Sequence, residues 1–270
     1  MIGASPVPSP FPAPQAGSPC CDPSHGPAPG DDTDLLSQVD QLLRREPILR
    51  NAYFAALRDG TISRETFLET QLQFFYAVRF FPRPMAVLMS RIPDSAGRMP
   101  LVHNLAEEHG AEDEPRQAGG LFCPGRAHDR TFLDFLESMG AARRQVRETA
   151  ESSAVRAFNL GLFGTCAAEP VELAFASLGI IEYAFADISA EIGRTVIERG
   201  WVEPRNLVHY TTHAEIDRRH AAEFFDAVAE SWGAGGARRD NVVRGLRLGH
   251  YLFDRLYVDL LSAAQRGAGV

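Results

Sequence analysis

The chain has 270 residues, of which 45% are hydrophobic and 23% are charged, and its formal net charge is −8. This length suits one large globular domain, and a mildly acidic chain without a long basic run argues against nucleic acid or an anionic membrane as the main partner. No apolar run is expected to reach the roughly 18 residues that cross a bilayer. The four cysteines form neither a CxxC pair nor a disulfide framework. We therefore expect a cytoplasmic protein with reduced thiols and no nucleic-acid or membrane partner.

Proline, glycine, serine and alanine dominate the first 30 residues. A segment of this composition cannot bury enough apolar surface to offset the entropy lost on ordering. We therefore predict a disordered tail over residues 1–30 and a single domain over residues 31–270. In that domain the apolar residues recur at helical spacing, and no segment shows the alternation that would require a strand.

The first half of the domain predicts a series of helices separated by glycine and proline. Apolar residues at i, i+3 or i+4, and i+7 give each helix a buried face. A glycine ends a helix readily, and a proline splits or stops one. The predicted boundaries are a helix end at Gly60, a cap at Ser63, a split at Pro82 and Pro84, a stop near Pro115, a loop over 115–128 and a helix end at Gly140.

The second half predicts four more helical stretches, over 141–160, about 169–199, about 205–232 and about 240–265. A glycine-rich loop at 233–236 separates the last two. The sequence thus predicts a single all-α bundle of about eight or nine helices.

The stretch HYTTHAEIDRRHAAEFF places His213, Asp217 and His220 at i, i+4 and i+7. Residues at these spacings lie on one face of a helix. Two imidazoles and a carboxylate that face a core are costly unless they are paired or bind a metal, and this ligand set suits iron, manganese or zinc. The alternative is an ordinary amphipathic helix with two hydrogen-bonded histidines and an exposed aspartate.

Glu182 lies inside an apolar run, between Ile181 and Tyr183. It shares a helix face with Phe185, so a solvated surface position is a poor interpretation. Two interpretations stay open: a metal ligand, or a buried glutamate paired with an arginine such as Arg156.

Glu108 ends a stripe that also contains Leu101 and Leu105, whereas Glu107 lies about 100° away around the helix. The same residues also fit an ordinary polar helix end. His128 opens an apolar helix, where a polar residue at the helix start is the ordinary interpretation. Carboxylates and histidines on facing helices are the usual ligands of dinuclear metal sites in bundles.

Taken in chain order, these motifs resemble the haem-oxygenase-like diiron oxidase and oxygenase family. The matching motifs are Glu107-Glu108-His109-Gly110, His128, Glu182 and His213-x3-Asp217-x2-His220. The resemblance covers roughly residues 35–265, and the last motif, with a core glutamate about thirty residues before it, is the specific part. It implies a haem-oxygenase-like fold, two Fe(II) ions with O2 as co-substrate, and the metal ligands Glu108, His128, Glu182, His213, Asp217 and His220.

One departure from the family's pattern concerns the distance from Glu108 to His128, which is longer than usual at 20 residues. A surface loop insertion explains it, since such positions tolerate added length. The departure leaves His109 as a rival to His128, just as Glu107 is a rival to Glu108. An additional upstream ligand, which some members have, is left open between Glu69 and Glu65.

The resemblance implies an O2-activating oxidoreductase of natural-product metabolism that acts on a small amine or amino-acid-like substrate. The expected outcomes are N-oxygenation, or oxidative desaturation or C–C cleavage, with an external reductant; a homodimer is left open. An aromatic segment with Phe74, Phe81 and Arg83 could hold a carboxylated substrate, although core packing explains it as well. The alternatives are a thiaminase-like enzyme that uses Cys166, a pyrroloquinoline-quinone-synthase-like oxidase, and a non-catalytic helical interaction protein.

Overall fold

The computed structural model describes residues 34–111 and 122–267, which belong to one compact unit, Asp34–Val270. The predicted tail over residues 1–30 and the first half of the predicted loop over 115–128 lie outside these residues. Within the described part the chain forms α-helices, short 3₁₀ turns and no strand, which confirms the all-α prediction. The 3₁₀ turns are Ile48–Arg50, Pro124–Arg126 and Pro204–Asn206.

Twelve α-helices occur in the described residues, more than the eight or nine that were predicted, because the stretches predicted over 141–160 and about 205–232 each divide into two. The short additional helices are α7 and α11. In chain order the helices are α1 (Leu35–Arg45), α2 (Ala52–Asp59), α3 (Arg64–Phe80), α4 (Pro82–Arg91), α5 (Ser95–Glu108), α6 (His128–Ser138), α7 (Arg143–Glu148), α8 (Ser153–Ala168), α9 (Val171–Glu198), α10 (Val208–Asp226), α11 (Ala229–Ala234) and α12 (Gly236–Gly267).

The predicted helix boundaries in the first half are largely confirmed. Gly60 follows α2 with a φ of 87°, a conformation that glycine adopts without a steric penalty. The Ser63 side chain accepts a hydrogen bond from the backbone N–H of Thr66 and so caps α3. Pro82 begins a new helix directly after α3, as the predicted split requires. The helix before Pro115 ends earlier than predicted, at Glu108.

The predicted helix over 141–160 is wrong, because the chain breaks between α7 and α8. Side chains of α3 bind the backbone at the break: Gln73 donates to the carbonyl of Ala150 at 2.9 Å and accepts from the N–H of Ser152 at 2.8 Å. The Tyr76 hydroxyl donates to the carbonyl of Thr149. These bonds replace the helical ones, and they depend on a helix distant in sequence.

The predicted loop at 233–236 is also shorter than expected. Ala234 ends α11 and Gly236 begins α12, so Gly235 alone connects the two helices. Both glycines have positive φ angles, 68° at Gly235 and 54° at Gly236, which permit a turn this short.

Helix α9 lies in the centre of the bundle and packs most extensively against α10 and α12. It is long and apolar enough to span a bilayer by length and composition, so the prediction that no apolar run reaches that length is wrong. However, 83% of its most apolar 18-residue window is buried inside the protein, as in the core helix of a globular domain.

Two glycines of α12 allow close approach to α9. A Cβ atom on Gly245 would lie 2.3 Å from the carbonyl oxygen of Leu173, and one on Gly249 would lie 2.4 Å from that of Ser177. The Ser177 hydroxyl, at 2.9 Å from the carbonyl of Gly245, donates across this contact. The backbones therefore pack at a distance that no larger residue permits.

We expect Gly249→Ala to destabilise the protein by about 1–3 kcal/mol, because the added methyl group forces two backbones apart. Gly164→Ala is the matched control, since Gly164 lies in α8 with no atom within 4 Å of the new Cβ. The control should be neutral or up to about 1 kcal/mol stabilising through helix propensity. Urea unfolding followed by circular dichroism measures both, and equal effects would contradict this account of the α9–α12 contact.

Candidate metal centre

The structure brings all six predicted site residues together in the interior, and none of them is more than 7% exposed. They come from four helices, α5, α6, α9 and α10. Helix α10 contributes three of them because their i, i+4 and i+7 spacing places them on its buried face. The positions are Glu108 at the end of α5, His128 at the start of α6, Glu182 in the middle of α9, and His213, Asp217 and His220 on α10.

Glu182, Asp217 and His220 form the tightest group within the described residues, with one ligand atom from each lying within 4.8 Å of the others. The Nδ1 atom of His220 is 3.8 Å from Glu182 Oε2 and 3.8 Å from Asp217 Oδ1. These distances are too long for hydrogen bonds. They suit donor atoms around one cation with bonds of about 2.0–2.2 Å.

His213 and Asp217 each have one potential metal-donor atom in this cluster that makes no hydrogen bond. The Nδ1–H of His213 donates to Asp217 Oδ1 at 2.8 Å, which fixes the imidazole ring. The Nε2 atom of His213 and the Oδ2 atom of Asp217 are buried and have no hydrogen-bond partner. Buried polar atoms without partners cost about 1–3 kcal/mol each, and a bound metal ion removes that cost.

Glu108 and His128 form a second group beside His213. His128 Nδ1 lies 3.1 Å from Glu108 Oε1, close enough for an ion pair, but the atoms are not aligned as a hydrogen bond. The ring of His128 is 4.3 Å from that of His213, centroid to centroid. Although burial lowers the pKa of His128, the Glu108 charge raises it above its ordinary value.

Burial and the neighbouring groups shift the pKa values of three residues in the cluster. Burial raises the pKa of Asp217 well above its usual range, and the nearby Glu182 and Glu108 carboxylates raise it further. Burial lowers the pKa of His213 well below its usual range, so this imidazole is neutral, as a metal ligand must be. Burial also opposes the charge on His220, but the neighbouring Glu107 and Glu182 carboxylates outweigh it and raise the pKa of His220 to about 10.

Three further residues contact the site, and none of them is among the six ligands predicted from the sequence. Asn104, one turn before Glu108, donates from Nδ2 to Glu182 Oε1 at 2.9 Å. Glu107 accepts from His220 Nε2 at 3.1 Å. His209, one turn before His213, is 1% exposed, and its Nε2 atom has no partner. Their one-turn spacing from predicted ligands was the available signal for Asn104 and His209.

The rival ligands named from the sequence lie elsewhere. His109 is exposed, and its Nδ1 atom is 2.7 Å from the carbonyl oxygen of Leu105, so His128 rather than His109 faces the cluster. Glu65 and Glu69 are both exposed on α3, so neither completes the site.

The ion pair suggested for Glu182 is absent from the described residues, since Arg156 pairs with Glu151 on the surface. Tyr183 donates its hydroxyl to Asp40 at 2.9 Å and therefore points away from the site.

A small apolar cavity of about 40 Å³ opens beside the cluster. Its volume exceeds the roughly 10–15 Å³ that one water molecule needs, so it accommodates a molecule the size of O2. No arginine lines it in the described part of the chain, and Arg83 is exposed over the ring of Phe80. Phenylalanine, alanine, valine and isoleucine side chains form most of the wall: Phe74, Ala77, Val78, Phe81, Phe158, Ile181, Phe185 and Phe253, with Glu108, Glu182, His209 and His213 at the site end.

The chain is a helical bundle with a buried carboxylate–imidazole cluster that could hold a metal ion, and comparison with known proteins gives the family. A family model described as "iron-containing redox enzyme" matches residues 68–253, well over half of the chain. The chain belongs to this family, and it is an oxidoreductase-type enzyme of the haem-oxygenase-like fold. Carboxylates and imidazoles without thiolates suit iron, so the residues fit the metal that the family name gives.

Two curated relatives are 4-aminobenzoate synthases. The protein from Chlamydia muridarum is 21% identical over 191 residues, which is 70% of this chain and 75% of the relative. The protein from Chlamydia trachomatis serovar D is also 21% identical over 191 residues, covering 70% of this chain and 77% of the relative.

Solved structures share the fold. A CADD-like protein of unknown function from Nostoc punctiforme superposes with a TM-score of 0.67 at 17% identity, over 85% of this chain and 96% of that one. A TenA homologue from Pseudomonas syringae gives 0.65 at 14% identity, over 86% and 93% of the two chains. A domain of unknown function with a haem-oxygenase-like fold from Shewanella denitrificans gives 0.63 at 15% identity, over 86% and 91%.

We expect Asp217→Asn to stabilise the iron-free protein by about 1–3 kcal/mol at pH 7, because it removes a buried charge but keeps an oxygen that accepts from His213. The folded-state pKa of Asp217 lies above its ordinary value of 3.8. Ionisation therefore costs stability as pH rises above that value, and the advantage of the variant should grow with pH.

Urea unfolding of iron-free protein between acid and neutral pH measures this difference. Asp226→Asn is the control, since Asp226 is exposed at the end of the same helix and should change stability by no more than about 0.5 kcal/mol. A variant less stable than wild type at pH 7 would contradict the electrostatic account of the cluster.

Proposed function

We propose that the chain is a non-haem diiron enzyme that uses O2 to oxidise a small molecule. The observation that carries the proposal is the buried cluster whose unpartnered donor atoms, on His213 and Asp217, face neighbouring carboxylates. The proposed ligands are the six residues predicted from the sequence: Glu108, His128, Glu182, His213, Asp217 and His220.

The spatial division of the donors supports two ions rather than one. Glu182, Asp217 and His220 lie around one point. Glu108 and His128 lie together beside His213, whose ring contacts that of His128. Three carboxylates offset most of the charge of two Fe(II) ions.

The chain's own contribution to the chemistry is binding, orientation and exclusion of water. When bound, two ferrous ions would supply electrons for the reduction of O2, and an external reductant would supply the remainder. Asp217 fixes the ring of His213, and Asn104 fixes one oxygen of Glu182, so the donor atoms are held in place before the metal arrives. The phenylalanine wall beside the cluster keeps bulk water from the reacting atoms.

The substrate we propose is a small amine or amino-acid-like molecule with an apolar portion that enters this cavity. The name of the chlamydial relatives, 4-aminobenzoate synthase, supports an aromatic amine chemistry. The cavity lining offers no arginine to a substrate carboxylate, so such a group would lie outside the cavity. A role in natural-product metabolism belongs to the same proposal.

The cysteine-dependent alternative has little support from the site. Cys166 does not line the cavity, and burial raises the pKa of its thiol to about 12, which disfavours the reactive thiolate. The likeness to a TenA homologue concerns the fold and does not supply a nucleophile.

Anaerobic addition of Fe(II) to iron-free protein should give about two bound iron ions per chain, and exposure to O2 should then oxidise them. His213→Ala and Glu182→Gln should each lower iron binding and iron-dependent O2 consumption by at least tenfold, because each removes one donor from a buried site. Iron analysis and an oxygen electrode give the two readouts.

His103→Ala is the matched control, since the His103 side chain is 51% exposed and lies outside the cluster. It should bind iron as wild type does. Absence of iron uptake by the wild type, or full activity of either site variant, would refute the proposed function.

A further inference from the structure

The imidazole of His220 uses its two nitrogen atoms for different neighbours. Its Nδ1 atom faces Glu182 and Asp217, each at 3.8 Å. Its Nε2 atom faces the opposite way, toward Glu107 Oε2 at 3.1 Å. An imidazole that binds a metal through one nitrogen carries a hydrogen on the other, and that N–H needs an acceptor when it is buried.

Glu107 is placed to be this acceptor and not to be a ligand. Its other oxygen, Oε1, accepts from the guanidinium of Arg219 at 2.5 Å. Both carboxylate oxygens thus have donors that lie on α10, on the far side of the His220 ring from the metal-facing carboxylates. The Glu107 side chain is 15% exposed, whereas that of Glu182 is 4% exposed.

We propose that Glu107 is a positioning residue of the metal centre, which accepts the Nε2–H of His220 and thereby presents Nδ1 to the metal. This inference rests on the proposed function. The His220 side chain is 2% exposed, so its N–H depends on an acceptor that the protein supplies. Arg219 orients Glu107 in turn, and the arrangement is a carboxylate–histidine–metal chain with an arginine at its outer end.

The chain offers a matched pair that lacks this role. His103 and Glu223 also join α5 to α10, with His103 Nδ1 at 3.2 Å from Glu223 Oε2. The His103 side chain is 51% exposed. A contact of this kind contributes little to stability or to metal binding. Glu223→Ala is therefore the control for Glu107→Ala.

The test is the affinity of the protein for Fe(II), measured by competition with a chelator under anaerobic conditions. Glu107→Ala should weaken binding by about 10–100-fold while about two ions still bind at saturation. Glu107→Gln should retain most of the affinity, because its amide oxygen accepts the same hydrogen bond. Glu223→Ala should bind as wild type does, and circular dichroism checks that all variants are folded.

Proton NMR of the Co(II)-substituted protein gives a readout that a merely structural role would not change. Wild type and Glu107→Gln should each show a paramagnetically shifted, slowly exchanging imidazole N–H signal from His220. In Glu107→Ala that signal should broaden through faster exchange or disappear.

The outcomes separate this inference from the proposed function. Wild-type affinity and an unchanged N–H signal in Glu107→Ala would overturn the positioning role alone. Loss of one ion at saturation in both Glu107→Ala and Glu107→Gln would show that Glu107 is a ligand, which also overturns the positioning role. Failure of the wild type to bind Fe(II) would overturn the proposed function and this inference with it.

Discussion

The burial of several carboxylates beside several imidazoles is the constraint on which the rest of this structure depends. Glu108, Glu182 and Asp217 lie in the interior with their charges close together, and solvent does not screen their repulsion. The fold tolerates such a cluster only if a cation or shared protons offset the charge. Neutral imidazole at His213 and unpartnered donor atoms around it favour the cation. In the proposed function, a bound metal ion would offset the stability that the cluster costs the iron-free chain.

The helices serve that cluster by rigid packing. Glycines at 245 and 249 bring α12 against α9, so that α9 is enclosed and Glu182 is held at a fixed depth. Aromatic rings surround the histidines as well: Phe132 lies edge-on to His209 at 4.8 Å, and Phe185 lies 5.0 Å from His213. These contacts restrict the imidazole rotamers and exclude water from the same space. The apolar packing therefore also holds the polar site in position.

Helical periodicity predicted much of the site, because three of its six residues lie on one helix, α10. The spacing of His213, Asp217 and His220 fixed their common face, and the apolar neighbours of Glu182 indicated its burial. His128 was preferred to His109 only through the family resemblance, since a histidine at a helix start has no distinctive pattern of its own. The structure brings these residues together, and their roles as ligands stay proposals.

The parts that the sequence could not predict depend on contacts between distant segments. The break between α7 and α8 is made by Gln73 and Tyr76 from α3, and no local pattern records those bonds. The contact between Glu107 and His220 joins residues 113 positions apart. From the sequence alone, Glu107 was a rival ligand, because its angular offset from Glu108 did not show what lay opposite it.

The central claim, two iron ions in this buried cluster, is tested most directly by anomalous X-ray diffraction at the iron edge. Crystals grown anaerobically with Fe(II) should show two peaks in the interior of each chain. One peak should lie among Glu182, Asp217 and His220, and the other beside Glu108 and His128. A single interior peak, or iron found only at the surface, would contradict the account.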